Sequence, residues 1–337
     1  MKHEPTTLQQ AILYFADPEN CVRYLLERRW PDGVVVCPTC GRTDVSYVAA
    51  RRVWQCKTRH PKAQFSIKVG TIFEESPIGL DKWLLAMWMV ANCRNGVSSW
   101  EMHRTLGVTQ KSAWFMLHRI RLALGNTPNA KMGTAGGPTE VDETFVGADP
   151  RKMHADRRLE MIRKRNEIPN WKATEKYTSK VPVMGMLDRE SRQIRAKVVP
   201  NVRRETLQEE ILNHIQDGSK VYTESSTSYL GLKAQNYIHE TVNHVNEYVR
   251  GEVSTQGLEN FWSLLKRGLR GTYIAVEPFH LDRYVTEQVF RYNNRHSKEN
   301  PLNDADRFAV AVSQIVGKRL TYAELTGKEP KKPAASF

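Results

Sequence analysis

At 337 residues the chain is long for a single core and suits two or three domains. Fifty Lys and Arg against 37 Asp and Glu give a formal charge of +13 and a pI near 9.5, a surplus that favours phosphate polyanions as partners. No apolar run approaches the ~20 residues needed to span a bilayer, the N-terminus has no signal-peptide pattern, and five cysteines, an odd number, argue against a secreted disulfide scaffold. A cytoplasmic protein is expected.

Residues 6–29 read as one helix, with Leu8, Ile12, Phe15, Val22, Leu25 and Leu26 apolar. Next comes Cys37-Pro-Thr-Cys40-Gly41, a Cys-x2-Cys knuckle, followed by Cys56 and, four residues later, His60. Strand-like runs at 46–48, 52–55 and 64–67 are what a zinc ribbon uses, and Cys37, Cys40, Cys56 and His60 would form a closed tetrahedral set. His60, beside Pro61, could also be a plain loop residue. So small a module has little core, so its Zn²⁺ would be structural. Cys21 and Cys93 read as buried packing thiols.

From Leu80 the pattern turns helical, with Trp83, Leu84, Met87, Trp88 and Val90 on one apolar face. A short helix near 98–106, the turn Gly107-Val108 and a longer helix capped by Thr109 make a helix-turn-helix layout. In that layout Gln110, Lys111 and Ser112 would meet DNA, and Ala113, Trp114, Met116, Leu117 and Ile120 would pack. A helical hairpin with no DNA contact has the same pattern. Residues 125–138, rich in Gly, Pro and Asn, read as a linker.

Beyond it strands are expected at 139–146, 181–188, 193–199, 220–223 and 237–241, and helices at 204–216, 254–269 and 278–294. That order describes a multidomain α/β protein whose mixed sheet carries helices on its faces. The loop 149–180, with ten Lys or Arg against five Asp or Glu, reads as a phosphate-contacting arm or as a solvated loop. The basic tail GKEPKKPAASF is expected to lack structure.

The stretch 254–269 carries Leu258, Phe261, Trp262, Leu265 and Leu269 at helical spacing, with Glu259 and Lys266 two turns apart on one edge. Such a pair is commonly a solvated face. Asp142 and Glu224, both at strand-like segments, offer two further acids. Three carboxylates brought to one point would hold a pair of divalent cations.

These residues resemble the IS1595-type (ISXO2-like) insertion-sequence transposases. The matching features are CPTCG with WQCKTRH, QFSIKVGTIFEESP, GVSSWEMHRTLGVTQKSAWFMLHRIR, VDETFVG, and LENFWSLLKRGLRGTY followed by RYNNR. The resemblance implies a zinc ribbon and a helix-turn-helix fused to a ribonuclease-H-like DDE domain that cuts and joins DNA with Mg²⁺ or Mn²⁺. By position, Asp142 matches the first acid, Glu259 the third and Lys266 the basic residue beyond it. The implied boundaries are 1–79 for the first helix and ribbon, 80–124 for the helix-turn-helix, 125–138 for the linker, 139–296 for the DDE domain and 297–337 for a C-terminal helical segment. Family analogy also implies at least a homodimer on DNA. Where the family pattern has Asp, this chain has Glu224, whose extra methylene moves the carboxylate by roughly 1.5 Å. Mg²⁺ demands near-ideal geometry, and displacements of that size cost about 10²-fold in rate. The alternative reading is therefore an impaired, transposase-derived DNA-binding regulator.

Overall fold

Thr7 and Asp17 each cap a helix in the computed structural model: α1 (Leu8–Phe15) and α2 (Pro18–Arg29). The single helix expected over 6–29 is therefore two. Pro18 has no N–H to donate to the preceding turn and suits a first helical position, while the Asp17 side chain accepts the Glu19 N–H at 3.0 Å. The structure describes residues 4–125, 130–147, 154–156, 159, 163, 180–242 and 253–328. Almost all of the basic loop 149–180 and the end of the tail lie outside the described residues. The chain divides into two units, residues 1–126 with 294–337, and residues 127–293.

In the first unit three short antiparallel strands, β1 (Val45–Val48), β2 (Val53–Cys56) and β3 (Gln64–Ser66), form the ribbon sheet. Its core is thin. Trp54 packs between Trp30, Tyr47 and Phe65, with ring centroids 5.0–6.0 Å away. Then follow α3 (Leu80–Asn92), α4 (Ser99–Leu106) and α5 (Gln110–Ala123). Ser98 and Glu101 form a capping box at the start of α4, and Gly107, at φ 59°, ends it in a left-handed turn that favours glycine. The apolar face expected on α3 is buried at all five positions. The C-terminal helix Asp304–Ser313 also belongs to this unit: Phe308 is fully buried and meets Phe15, Tyr24 and Trp88 at 5.0–5.8 Å. Cys21 is buried as expected, and burial pushes its thiol up to about 12. Cys93, by contrast, is only half-buried because it sits past the last turn of α3.

The second unit is a five-stranded mixed sheet. Its strands are β4 (Thr139–Val146), β5 (Val181–Asp188), β6 (Ile194–Val198), β7 (Lys220–Glu224) and β8 (Ile238–Val242), in the order β6-β5-β4-β7-β8. β4, β5 and β6 form an antiparallel meander, and β7 and β8 run parallel to β4. Strand ends fall within one residue of expectation, and β4 and β5 are buried in consecutive runs because helices cover both faces of the sheet. Residues 130–138 are part of this unit: Met132 is buried, bridges to Ile215, and is followed by Gly133 at φ 81°.

Helix α6 (Arg204–His214) covers one face, packing Leu207 and Ile211 against Val141, Met184, Met186, Val221 and Tyr229. The other face carries α7 (Gln256–Gly268) and α8 (Leu281–Asn293), with Leu258, Phe261, Trp262, Leu265 and Val285 against Val183, Leu187 and Ile194. The helix expected to start at Pro278 begins at Leu281, after a 3-10 turn over Pro278–His280.

Candidate metal centre and zinc ribbon

The ribbon brings its four ligand candidates together. The donor atoms of Cys37, Cys40, Cys56 and His60 all lie within 4.8 Å of one another. Cys40 Sγ is 3.7 Å from Cys56 Sγ, and Cys37 Sγ is 3.5 Å from His60 Nε2. A tetrahedral zinc ion with Zn–S of about 2.3 Å and Zn–N of about 2.0–2.1 Å separates two sulfurs by about 3.8 Å and a sulfur and a nitrogen by about 3.6 Å. The donor set thus fits zinc by separation as well as by chemistry. His60 Nδ1 is 2.7 Å from the Pro61 carbonyl, which orients the ring and leaves Nε2 for the metal. Burial works against a charged Cys37, but the N–H groups of Cys40 and Thr39 outweigh it and hold the thiol below its ordinary value.

The acids of the second unit are arranged by sheet register. Asp142 faces α7, and Val141 pairs with Thr223 in parallel register. One step further along, Glu224 comes beside Asp142 with its side chain on the same face. Helix α7 lies across that face. Trp262 Nε1 donates to Asp142 Oδ2 at 2.8 Å, and Glu259 and Lys266 stand one turn before and one turn after Trp262. The two residues therefore flank Asp142 along a single helical edge. Glu259 is exposed and Lys266 half-buried.

The Asp142 carboxyl feels the charges of both other acids. Burial pushes the Asp142 carboxyl up to about 6; the Trp262 indole opposes this, and the charges of Glu224 and Glu259 add to the rise. Lys266 is held below the ordinary lysine value by partial burial and by Arg270, against the attraction of Asp142. Both Asp142 oxygens already accept one hydrogen bond, from Trp262 and from the Glu143 N–H at 2.8 Å. Each keeps a lone pair for a cation. Among the described residues no second group gathers its donor atoms as tightly as the ribbon does. Like charges in a buried pocket repel, and a cation is what would draw them in.

Several contributors were missed by the sequence reading. Glu140 lies two residues before Asp142 on the same face and is 2% exposed. Its carboxylate accepts the Leu258 N–H at 3.1 Å and the Arg189 Nε–H at 2.6 Å, and Arg189 in turn donates to the Ser254 carbonyl and hydroxyl. This network fixes the first turn of α7, and with it Glu259, to the strand that bears Asp142. Gly185, opposite Asp142 in β5, leaves room for Trp262: a Cβ there would be 2.7 Å from the indole. The run of alternate acids in Thr-Glu-Val-Asp-Glu was the available signal. On the other face, Glu143 is pushed up to about 7 by burial. The buried Tyr229 hydroxyl lies close enough to counter that rise but makes no well-formed hydrogen bond.

In the first unit, Gln110, Lys111 and Ser112 occupy the first turn of α5. Gln110 Nε2 donates to Ser99 Oγ at 2.8 Å, Lys111 Nζ sits 4.6 Å from the Tyr322 ring, and the Ser112 N–H donates to the Thr109 cap. Ala113, Met116, Leu117 and Ile120 are buried as expected and Trp114 is half-buried. From Met116 onward burial encircles the helix: His118, Arg119 and Arg121 are buried too, with Arg119 donating to the carbonyls of Leu320, Ile72 and Glu74.

Two family models match this architecture: a transposase zinc-ribbon domain over residues 16–58 and an ISXO2-like transposase domain over residues 134–293. A ribbon followed by a mixed-sheet domain of this type defines a transposase-like protein. A protein in transposable element ISH50 of Halobacterium salinarum is 28% identical over 304 residues, 86% of this chain and 98% of the relative. A transposase-like protein of Haemophilus influenzae is 32% identical over 101 residues, 30% of this chain and 81% of the relative. The chain belongs to the IS1595 (ISXO2-like) transposase family. Among solved structures, the simian T-cell lymphotropic virus intasome in complex with PP2A regulatory subunit B56 gamma overlaps loosely, at a TM-score of 0.31 and 11% identity over 66% of this chain and 74% of that one. No helix among the described residues is long and apolar enough to cross a membrane.

Proposed function

We propose that the protein is a DDE-type DNA transposase, with Asp142, Glu224 and Glu259 holding two Mg²⁺ or Mn²⁺ ions in a ribonuclease-H-like domain. When bound, such ions stabilise the attacking and leaving oxygens of a phosphodiester displacement. The observation that carries this reading is the alignment of Glu259, Trp262 and Lys266 over Asp142, with Glu224 beside it in register. Asp142 and Glu224 supply ligands from the sheet, Glu259 from the helix, and Lys266 with Arg270 grips a phosphate next to the scissile bond. Glu140 and Trp262 hold the two halves of the site in register with one another.

In the first unit, α3, α4 and α5 would act as a helix-turn-helix on DNA, with Gln110, Lys111 and Ser112 toward the duplex and a zinc-stapled ribbon beside them. The domain boundaries carried over from the family, a homodimer or higher oligomer on DNA, and a cytoplasmic, nucleoid-associated location belong to the same proposal. The net charge supports DNA as the partner.

The test is nicking of a supercoiled plasmid, which needs no knowledge of the element ends. Wild-type protein should nick with Mn²⁺, and Asp142→Asn and Glu259→Gln should each lower the rate by about 10²-fold or more. Equal nicking by the variants would remove the metal-site assignment. The longer Glu224 favours one second reading, a regulator that binds DNA without cutting it. Binding without nicking, together with nicking restored in Glu224→Asp, would support that reading.

A further inference from the structure

Of the six non-glycine residues with positive φ among the described residues, five are Arg, Lys, Glu or Asn; the sixth is Ile274. A β-branched residue at φ 60°, ψ −60° is a genuine outlier. The Ala275 N–H donates to the Tyr273 carbonyl at 2.6 Å, which closes a strained γ-turn centred on Ile274. Strain of this kind persists only where neighbours over-determine it. Here they do. The Ile274 N–H donates to the Leu269 carbonyl at 3.0 Å, closing a π-helical turn that continues α7. Tyr273 packs edge-on against Tyr284 at 4.7 Å and donates its hydroxyl to Glu287, and Val276 packs against the core.

Between these two anchors the Ile274 side chain is 80% exposed, and Phe279 five residues on is 58% exposed. Leu13 of α1 is exposed to a similar degree, 72%, but sits in an ordinary helical turn and has no comparable setting. The setting at Ile274 is cationic. Arg267 and Arg270 are exposed on the segment leading to it and Lys266 is half-buried there; the nearest acid in the loop is Glu277. Eight residues separate Lys266 from Ile274, about 12 Å of helical rise, or three to four base steps of a duplex.

A rigidly presented apolar side chain, flanked by phosphate-binding cations, matches what DNA-bending proteins insert between base steps. We infer that Ile274 is a wedge that enters the base stack of bound DNA three to four steps from the phosphate held at Lys266, with Phe279 as a second apolar contact. This rests on the DNA-cleaving reading above and adds to it a distortion of the substrate beside the cut. An already unstacked step should accept the wedge at lower cost than an intact one.

The experiment uses the full chain and two duplexes of identical sequence, one intact and one with a single abasic position, in fluorescence anisotropy without divalent metal. Wild type should bind the abasic duplex at least about tenfold more tightly, the factor implied by the unstacking energy it no longer has to supply. Ile274→Gly should lose that preference, binding the two duplexes equally, and because glycine relieves the positive φ its thermal midpoint should not fall. An abasic preference unchanged in Ile274→Gly, or absent in wild type, overturns the wedge. Plasmid nicking by the wild type then reports separately whether the cleavage reading stands.

Discussion

The zinc ribbon and the acidic site proposed above are built in opposite ways. The ribbon draws its set from residues 37 to 60 on short hairpins with a thin aromatic core, and its donor atoms lie within 4.8 Å of one another. The acidic site draws Asp142, Glu224 and Glu259 from a chain span of more than 100 residues, on a sheet and a helix whose hydrophobic core is already complete. The metal is part of what folds the first. In the second, on the proposed reading, the fold would come first and a cation would relieve the repulsion between the acids.

The largest expected effect separates these two roles. Stripping zinc with a chelator removes a binding energy of about 10–16 kcal/mol from the ribbon, and Cys56→Ser removes one of the four ligands; each should unfold the ribbon locally, with loss of bound zinc and of amide protection around Trp54. Removing Mg²⁺ should leave the second unit folded. If hydrogen exchange showed its sheet opening on Mg²⁺ removal, the contrast would fail.

Next comes the network beneath Glu259. Glu140→Gln leaves Arg189 without its buried carboxylate and should cost about 3–5 kcal/mol in chemical denaturation. Should the cost fall under about 1 kcal/mol, α7 is held by its apolar stripe alone.

The raised Asp142 carboxyl gives a pH signature. Its folded value, about 6, lies above the ordinary 3.8, so folding favours the protonated form. That contribution is fully present below pH ~4 and is lost as pH rises through 6, at most about 3 kcal/mol. Glu143, raised to about 7 by burial, acts in the same direction over a slightly higher window. The stabilisation conferred by Mg²⁺ should accordingly grow between pH 5 and pH 8, read as the metal-dependent shift of the urea midpoint. A shift independent of pH would mean that Asp142 does not meet the ion.

The smallest effect is steric. Gly185→Ala drives a methyl group into the Trp262 indole and should cost about 2 kcal/mol. Nicking should fall with it, because the indole that orients Asp142 is displaced.

Local chemistry made most of the fold legible. Short runs of strand-forming residues gave β4 and β5 to the residue, and the Cys-x2-Cys knuckle gave half the ribbon, because both signals lie within a few neighbouring residues. The break at Asp17-Pro18 was equally local and was overlooked only because the apolar spacing runs through it. The packing of Phe308 against Phe15, Tyr24 and Trp88 had no local signal: aromatic side chains more than 200 residues apart carry no mark of one another.

Sequence alone therefore determined which residues could bind metal and which elements would carry them, since ligand type and helical or strand period are properties of short windows. Tertiary structure decided that Trp262 serves Asp142, that Glu140 and Arg189 tether α7, and that Ile274 projects under strain. Each depends on strand register or on a helix crossing a sheet, and these are fixed only when the whole core closes.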